Sequence, residues 1–322
     1  MKLGVFTALF SEKKLEEVLD YIQDKGLENV EIGTGGYVGD SHCKPADLLN
    51  DEVKLKKFKD TFDSRGIQIS ALSCHGNPLH PNKNIATQHH RAFKDTVRLA
   101  SKLGVKNVIT FSGCPGESDY SLHPVWITCP WPRDFSDVLN WQWKEKIIPY
   151  WKEQNTFLNE NNVKVAIEPH PGFAVYNTET LLRLRKECGN QIGVNFDPSH
   201  YFWQGMDPIA CIKELGKEDA LYHFHAKDTK IDHQNNSLNG VLDTKSYSDL
   251  TSRSWIFRTV GFGHGEDTWR EIISVLQSIG YDGAISIEHE DGLMSVEEGL
   301  EKAISFLQNN LIKEGAAEMW WV

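Results

Sequence analysis

Along this chain short apolar runs alternate with amphipathic helical stretches, and the alternation repeats eight times. The strand-like runs lie at 3–7, 29–33, 67–74, 107–111, 163–168, 193–197, 220–227 and 284–289. The helical stretches lie at about 12–24, 51–65, 84–103, 136–161, 177–188, 207–216, 267–280 and 295–312. In the first of them Leu15, Val18, Leu19 and Ile22 recur at the spacing that covers one face of a sheet. Gly26, Gly66, Gly104 and Gly280 follow helical stretches where a C-terminal cap is needed. Strand then helix, eight times in roughly 310 residues, is the arithmetic of an α/β chain folded as a (β/α)8 TIM barrel. The expected organisation is one barrel domain at 1–312 with a C-terminal tail at 313–322. A doubly wound sheet satisfies the same local pattern, because periodicity alone does not show closure. No linker or low-complexity segment divides the chain.

Four of the runs end in side chains that bind metals: VAIEPH at 165–170, IGVNFDPSH at 192–200, LYHFHAKD at 221–228 and AISIEHE at 284–290. An interior strand gains nothing by finishing in carboxylates and imidazoles unless a partner offsets the cost of burying them, and a divalent cation is the simplest such partner. In a parallel barrel these ends meet at one mouth. The two-residue period of a strand tests the idea. It places Glu168 on the face of Ala166, Asp197 on that of Asn195, His225 on that of His223, and Glu288 on that of Ala284 and Ser286, all inward. His225 is nearer its strand end and is the preferred ligand, with His223 hydrogen-bonded in a layer beneath. Each residue alone has a bland reading as an edge or core group; shared parity at four strand ends argues against coincidence. One imidazole and three carboxylates suit Mn²⁺ first, with Mg²⁺, Co²⁺ or Zn²⁺ as alternatives. The balance of charge around such an ion tolerates a neutral polyol.

The net charge is −11 with no basic run, which argues against a nucleic-acid groove read through phosphates. MKLGVFTALF is followed at once by SEKKLEE and reads as a first strand rather than a signal peptide. No apolar run approaches the roughly 20 residues that cross a bilayer. The six cysteines form no CxxC pair and read as free thiols, so a cytoplasmic location is expected. Two long connections, 112–134 after the fourth strand and 229–264 after the seventh, would sit on the barrel face that carries chemistry. Each reads as a lid or substrate wall, or as a packing or oligomer contact. Trp126, Trp131, Trp255 and Phe262 suit either role.

IEPHP, NFDPSH, HFHAKD and SIEHED, at the ends of the fifth to eighth strands, resemble the xylose isomerase-like TIM-barrel superfamily, in its sugar phosphate isomerase/epimerase branch. The resemblance spans roughly residues 1–312. It implies a metal site at Glu168, Asp197, His225 and Glu288, with the two glutamates as the acid/base pair on opposite faces of the substrate. It implies that His200, of the DxxH motif, and an arginine after the seventh strand bind substrate oxygens; Arg258 is the candidate, with Arg253 as its competitor. His75, Trp126 and Phe6 are expected to line the pocket, and His170 to contact substrate. The chain departs from endonuclease IV-like members in its acidic surface, and from xylose isomerase in showing no second-metal cluster, which favours proton transfer over hydride shift. No glycine-rich phosphate loop follows a strand, so the expected substrate is an unphosphorylated sugar, cyclitol or glycoside. The resulting expectation is a metal-dependent isomerase or epimerase working through an enediolate. The alternative is a lyase or dehydratase eliminating from a 3-keto-glycoside or inosose, with His200 or His170 as the acid. A non-catalytic sugar-binding or partner subunit, docking through its aromatic tail at 316–322, is the third reading, and the same tail suits contact with a second protomer.

Overall fold

A computed structural model describes residues 1–314 and 318–322. Its strands, in chain order, are β1 (Lys2–Phe6), β2 (Asn29–Gly33), β3 (Gln68–Ser73), β4 (Asn107–Thr110), β5 (Lys164–Ile167), β6 (Ile192–Phe196), β7 (Leu221–Ala226), β8 (Asp228–Ile231), β9 (Trp255–Arg258) and β10 (Ala284–Ile287). β1 to β7 follow one another around a closed parallel barrel, and β10 completes it by pairing with both β7 and β1. Lys2 lies opposite Ala284 and Val5 opposite Ile287 in that last pairing, so the doubly wound alternative is excluded. All eight runs expected from the alternation are barrel strands. Helices lie between them, and their apolar faces cover the outside of the barrel with Leu19, Ile22, Val97, Trp151, Leu184, Ile212, Trp269 and Leu307, all fully buried. Gly104 ends its helix at φ 74°, the left-handed conformation that a capping glycine adopts without strain.

The stretch at 136–161, expected as one helix, is instead three pieces: an α-helix at Arg133–Trp141, wide π-type turns at Gln142–Ile147 and an α-helix at Ile148–Glu160. Pro149 has no N–H to give the carbonyl four residues earlier, and a π-bulge is one way to pass that gap. The wider turn also carries Gln142, whose buried side-chain amide donates to the carbonyls of Pro115, Gly116 and Val125 at 3.2, 3.1 and 2.8 Å. The long loop after β4 is therefore fastened to the helix that follows it.

The second long connection is not a plain loop either. β8 and β9 pair antiparallel within it, Asp228 opposite Arg258 and Ile231 opposite Trp255. The base of this hairpin is tied by one carboxylate. Asp228, fully buried, accepts from the backbone N–H groups of Thr229, Gly261, Gly263 and His264, from His264 Nδ1–H and from Trp269 Nε1–H, all at 2.8–3.2 Å. Gly263 is required there, since a Cβ would lie 2.3 Å from the Thr229 carbonyl oxygen.

Inside the barrel two register shifts break the simple alternation. Between β2 and β3 Ser70 is the extra residue, and between β6 and β7 it is Tyr222. A bulge of this kind turns two successive side chains toward the same side. Tyr222 packs on Ala71, Ile109 and Ala166 and plugs the lower barrel, while Ser70 reaches His223. All six cysteines are free thiols. Among the described residues no helix is long and apolar enough to cross a membrane. Of the tail, residues 315–317 lie outside the described residues; Trp320, Trp321 and Val322 are exposed.

Candidate active site at the barrel mouth

Four side chains from four strand ends converge. One ligand atom each from Glu168, Asp197, His225 and Glu288 lies within 4.8 Å of all the others. Each arrives by a local device. Glu168 follows β5, its N–H continuing the ladder to the Thr110 carbonyl at 3.0 Å. Asp197 follows β6 directly and caps the short helix Pro198–Trp203, using Oδ1 to accept from the Ser199 N–H at 2.9 Å and so leaving Oδ2 to face the site. His225 is the fifth residue of β7. Glu288 lies one residue beyond β10, its N–H 3.3 Å from the Ala226 carbonyl.

The hydrogen bonds decide which atoms are committed. Glu168 accepts from His75 Nε2 and Asn195 Nδ2 on one oxygen, at 3.0 and 2.9 Å, and from His200 Nε2 on the other at 3.2 Å. Because Asn195 donates to a carboxylate, its Oδ1 is the acceptor for His223 Nδ1–H at 3.0 Å, and the other His223 nitrogen meets Ser70 Oγ at 3.2 Å. His223 is thus the hydrogen-bonded layer residue, beneath His225. Among the convergent donors, His225 Nδ1 has no hydrogen-bond partner, and Asp197 Oδ2 has only charge contacts outside hydrogen-bond geometry, to Lys227 Nζ and His200 Nε2 at 3.2 Å each. A buried polar atom without a partner is costly, and a cation between these atoms would satisfy both. The set of one nitrogen and three carboxylates therefore fits a divalent ion.

Two further charged residues complete the cluster, and neither figured among the expected site residues. Lys227, buried, donates to Glu288 at 2.9 Å and Glu290 at 3.1 Å, and lies 3.2 Å from Asp197 Oδ2. Glu31, fully buried on β2, accepts from His225 Nε2–H at 2.7 Å. Both were within reach of the parity argument: Lys227 shares the face of His225, and Glu31 alternates with Val30 and Ile32. Glu31, His223 and His225 form a second group of mutually close donors, where no second-metal cluster is expected from the sequence.

Burial alone would raise the pKa of Glu168, but His75, His200 and His225 outweigh it and hold the carboxyl well below its ordinary range. Glu288 is likewise opposed by burial and held low, first by Lys227 and then by His225. For Lys227 burial favours the neutral amine, yet Asp197, Glu288 and Glu290 push its pKa well above the usual lysine value. His170 differs. Burial, then the neighbouring His200, lowers its pKa to about 3, so it is neutral. Its Nδ1–H is committed to the Pro171 carbonyl at 2.6 Å, which leaves Nε2 as an acceptor.

The hairpin supplies the wall of the site. Phe257 of β9 places its ring 4.6 Å from Lys227 Nζ and edge-on to His200. A cavity of about 540 Å³ lies against it, lined by His170, Tyr247, Phe257, Glu290 and Asp291 among others, large enough for a sugar. Another of about 630 Å³ opens at the opposite, N-terminal end of the barrel around Lys106, Lys164 and Tyr222, remote from the donor cluster. The expected pocket residues are distributed unevenly. Phe6 stacks on His225 at 5.9 Å, and His75 and His200 touch Glu168. Trp126 packs edge-on against Tyr176. Arg258 donates through Nε to Asp291 at 3.0 Å. Arg253 is buried in the hairpin loop, bonded to the carbonyls of Trp255 and Lys245 and held between Tyr247 and Trp255.

The family described as "Xylose isomerase-like TIM barrel" matches residues 19–310. The Bacillus subtilis (strain 168) protein YfiH is 37% identical over 314 residues, covering 97% of this chain and 99% of that one. Among solved structures, the IOLI protein with a bound zinc atom superposes with a TM-score of 0.64 at 19% identity, covering 98% of this chain and 100% of that one. The 3-keto-D-glucoside 4-epimerase YcjR from E. coli superposes with a TM-score of 0.64 at 12% identity, covering 96% and 98%. At these identities both structural likenesses speak to the fold.

Proposed function

Since this chain belongs to the xylose isomerase-like TIM barrel family, we propose that it is a divalent-metal-dependent isomerase or epimerase of an unphosphorylated sugar or cyclitol. The observation that carries the reading is the convergence of Glu168, Asp197, His225 and Glu288, with neither His225 Nδ1 nor Asp197 Oδ2 taken up by a hydrogen bond. Manganese is the first choice of ion, and magnesium, cobalt or zinc the alternatives. When bound, the ion supplies Lewis acidity to a carbonyl and its neighbouring hydroxyl. The chain's own residues do the rest. Glu168 and Glu288 are held ionised, so either takes a proton from carbon beside a ketone; the other takes up a proton from solvent and returns it to the opposite face of the enediolate. His200, His75 and His170 orient substrate hydroxyls, with Arg258 and Trp126 as further substrate contacts.

A neutral substrate follows from the charges. Lys227 is already shared among carboxylates and Arg258 is bonded to Asp291, while Glu290 and Asp291 add negative charge to the cavity wall. A phosphate there would meet acidic groups and no uncommitted cation among the described lining residues. Hydrogen bonding also favours epimerisation over elimination. The expected acids for a leaving group are poorly placed, since His170 Nε2 carries no proton and His200 Nε2–H points to Glu168 and Asp197.

The test is solvent exchange. Protein loaded with Mn²⁺ and incubated in D₂O with a panel of ketoses, inososes and 3-keto-glucosides is expected to place deuterium at one carbon beside the carbonyl of at least one of them, and to epimerise or isomerise it. Loss of water from the same substrate would move the assignment to a dehydratase. Absence of exchange with every candidate, in protein that holds the ion, would remove proton-transfer chemistry from the reading.

A further inference from the structure

Glu31 has no place in the reaction just described, yet it is fully buried and bonded to the residue at the centre of the cluster. Its Oε1 accepts from Ser73 Oγ at 2.5 Å, and its Oε2 accepts from Ser286 Oγ at 2.8 Å and from His225 Nε2 at 2.7 Å. An ionised carboxylate only accepts, so the proton of that contact sits on Nε2. On the other side of the same ring Nδ1 lies 3.0 Å from Glu288 Oε2 and 3.3 Å from Glu168 Oε2, with no hydrogen-bond partner. Two carboxylates facing Nδ1 would draw a single ring proton to that side, and a protonated nitrogen cannot ligate a cation. A carboxylate opposite them gives the proton an equally good acceptor elsewhere.

Resting on the metal reading above, we propose that Glu31 is a positioning residue that holds His225 as the Nε2–H tautomer, so that Nδ1 is the atom presented to the ion. The arrangement is a carboxylate–histidine–metal relay, in which the outer carboxylate sets the orientation and basicity of the ligand. Ser73 and Ser286, from β3 and β10, fix the carboxylate from two further strands. The competing use of Glu31 is as a ligand of a second ion with His223 and His225. Saturation argues against it: both His223 nitrogens are bonded, to Asn195 and Ser70, and both Glu31 oxygens accept hydroxyl donors.

The experiment is calorimetric titration of metal-free wild-type protein and of Glu31→Gln with Mn²⁺ alone, with circular dichroism to check the fold. Wild-type protein is expected to take one ion per chain, and the folded variant to bind it about 10–100-fold more weakly. A folded variant with unchanged affinity overturns the proposal. So does a wild type that binds two ions where the variant binds one, because Glu31 would then be a ligand itself. If the variant does not fold, ¹⁵N-histidine NMR of Zn²⁺-loaded wild-type protein decides the matter: His225 protonated at Nε2 and ligated through Nδ1 supports the proposal, and ligation through Nε2 overturns it. Wild-type protein that takes up neither ion overturns the metal reading and this inference together, an outcome separate from the others.

Discussion

Replacing Glu288 by Gln is expected to lower proton exchange between substrate and solvent by about 10²–10⁴-fold, the contribution of a positioned acid or base. The amide keeps the shape of the side chain and one oxygen facing His225 Nδ1, but it has no basicity, so the loss should fall on kcat rather than on KM when the ion is saturating. Ion affinity should drop as well, and Mn²⁺ must be raised until the rate no longer changes. Glu290→Gln is the control. Glu290 sits on the same side of Lys227, but its side chain is 54% exposed and it is not among the four convergent donors. Its loss should cost little by comparison, and a larger loss at Glu290 than at Glu288 would mean that the proton is carried by the outer carboxylate.

The second large effect is on stability. Lys227→Met keeps the length and volume of a side chain that is 2% exposed while removing the charge that Asp197 and Glu288 share. Removing one partner of a buried ion pair leaves the other uncompensated and costs about 3–5 kcal/mol. The expected result is a loss of that size in urea unfolding with EDTA present. The exposed Glu290 leg contributes little, because solvent screens it. Addition of Mn²⁺ should recover a large part of the loss, since binding to the folded state alone stabilises it by mass action. A variant as stable as wild type in EDTA would show that the carboxylates around Lys227 are not held ionised in a dry site.

Much of this was legible in the chain itself. Barrel strands are short, and each alternates between the interior and the helices, so the eight runs and the inward members of the last four could be identified from period alone. Glu168, Asp197, His225 and Glu288 converge because each lies at an inward position at the C-terminal end of its strand or one residue beyond it. The failures have physical causes. The hairpin of β8 and β9 is built from Asp228–Ile231 and Trp255–Arg258, whose pairing spans a long insertion, and the first run, DTKI, is not strongly apolar. The π-type turn at Gln142–Ile147 has helical periodicity on both sides and is visible only through Pro149. Bulges at Ser70 and Tyr222 shift parity by one residue, which no period-2 argument reveals. Glu31 and Lys227 obey the parity rule, but Glu31 lies on the second strand, outside the four motifs, and Lys227 lies within HFHAKD beyond the preferred ligand His225, where a lysine does not read as a metal ligand. Arg258, expected at the substrate, donates its Nε–H to Asp291, a contact that depends on the fold bringing β9 beside the segment after β10 and that sequence alone does not show.

The central claim is that these four strand ends hold one ion. Crystals soaked in Mn²⁺ and measured at the manganese absorption edge test it directly. The account predicts a single anomalous peak per chain, bounded by Glu168, Asp197, His225 Nδ1 and Glu288 at about 2.0–2.3 Å. A peak between Glu31 and His223, or no peak at saturating Mn²⁺, would contradict it.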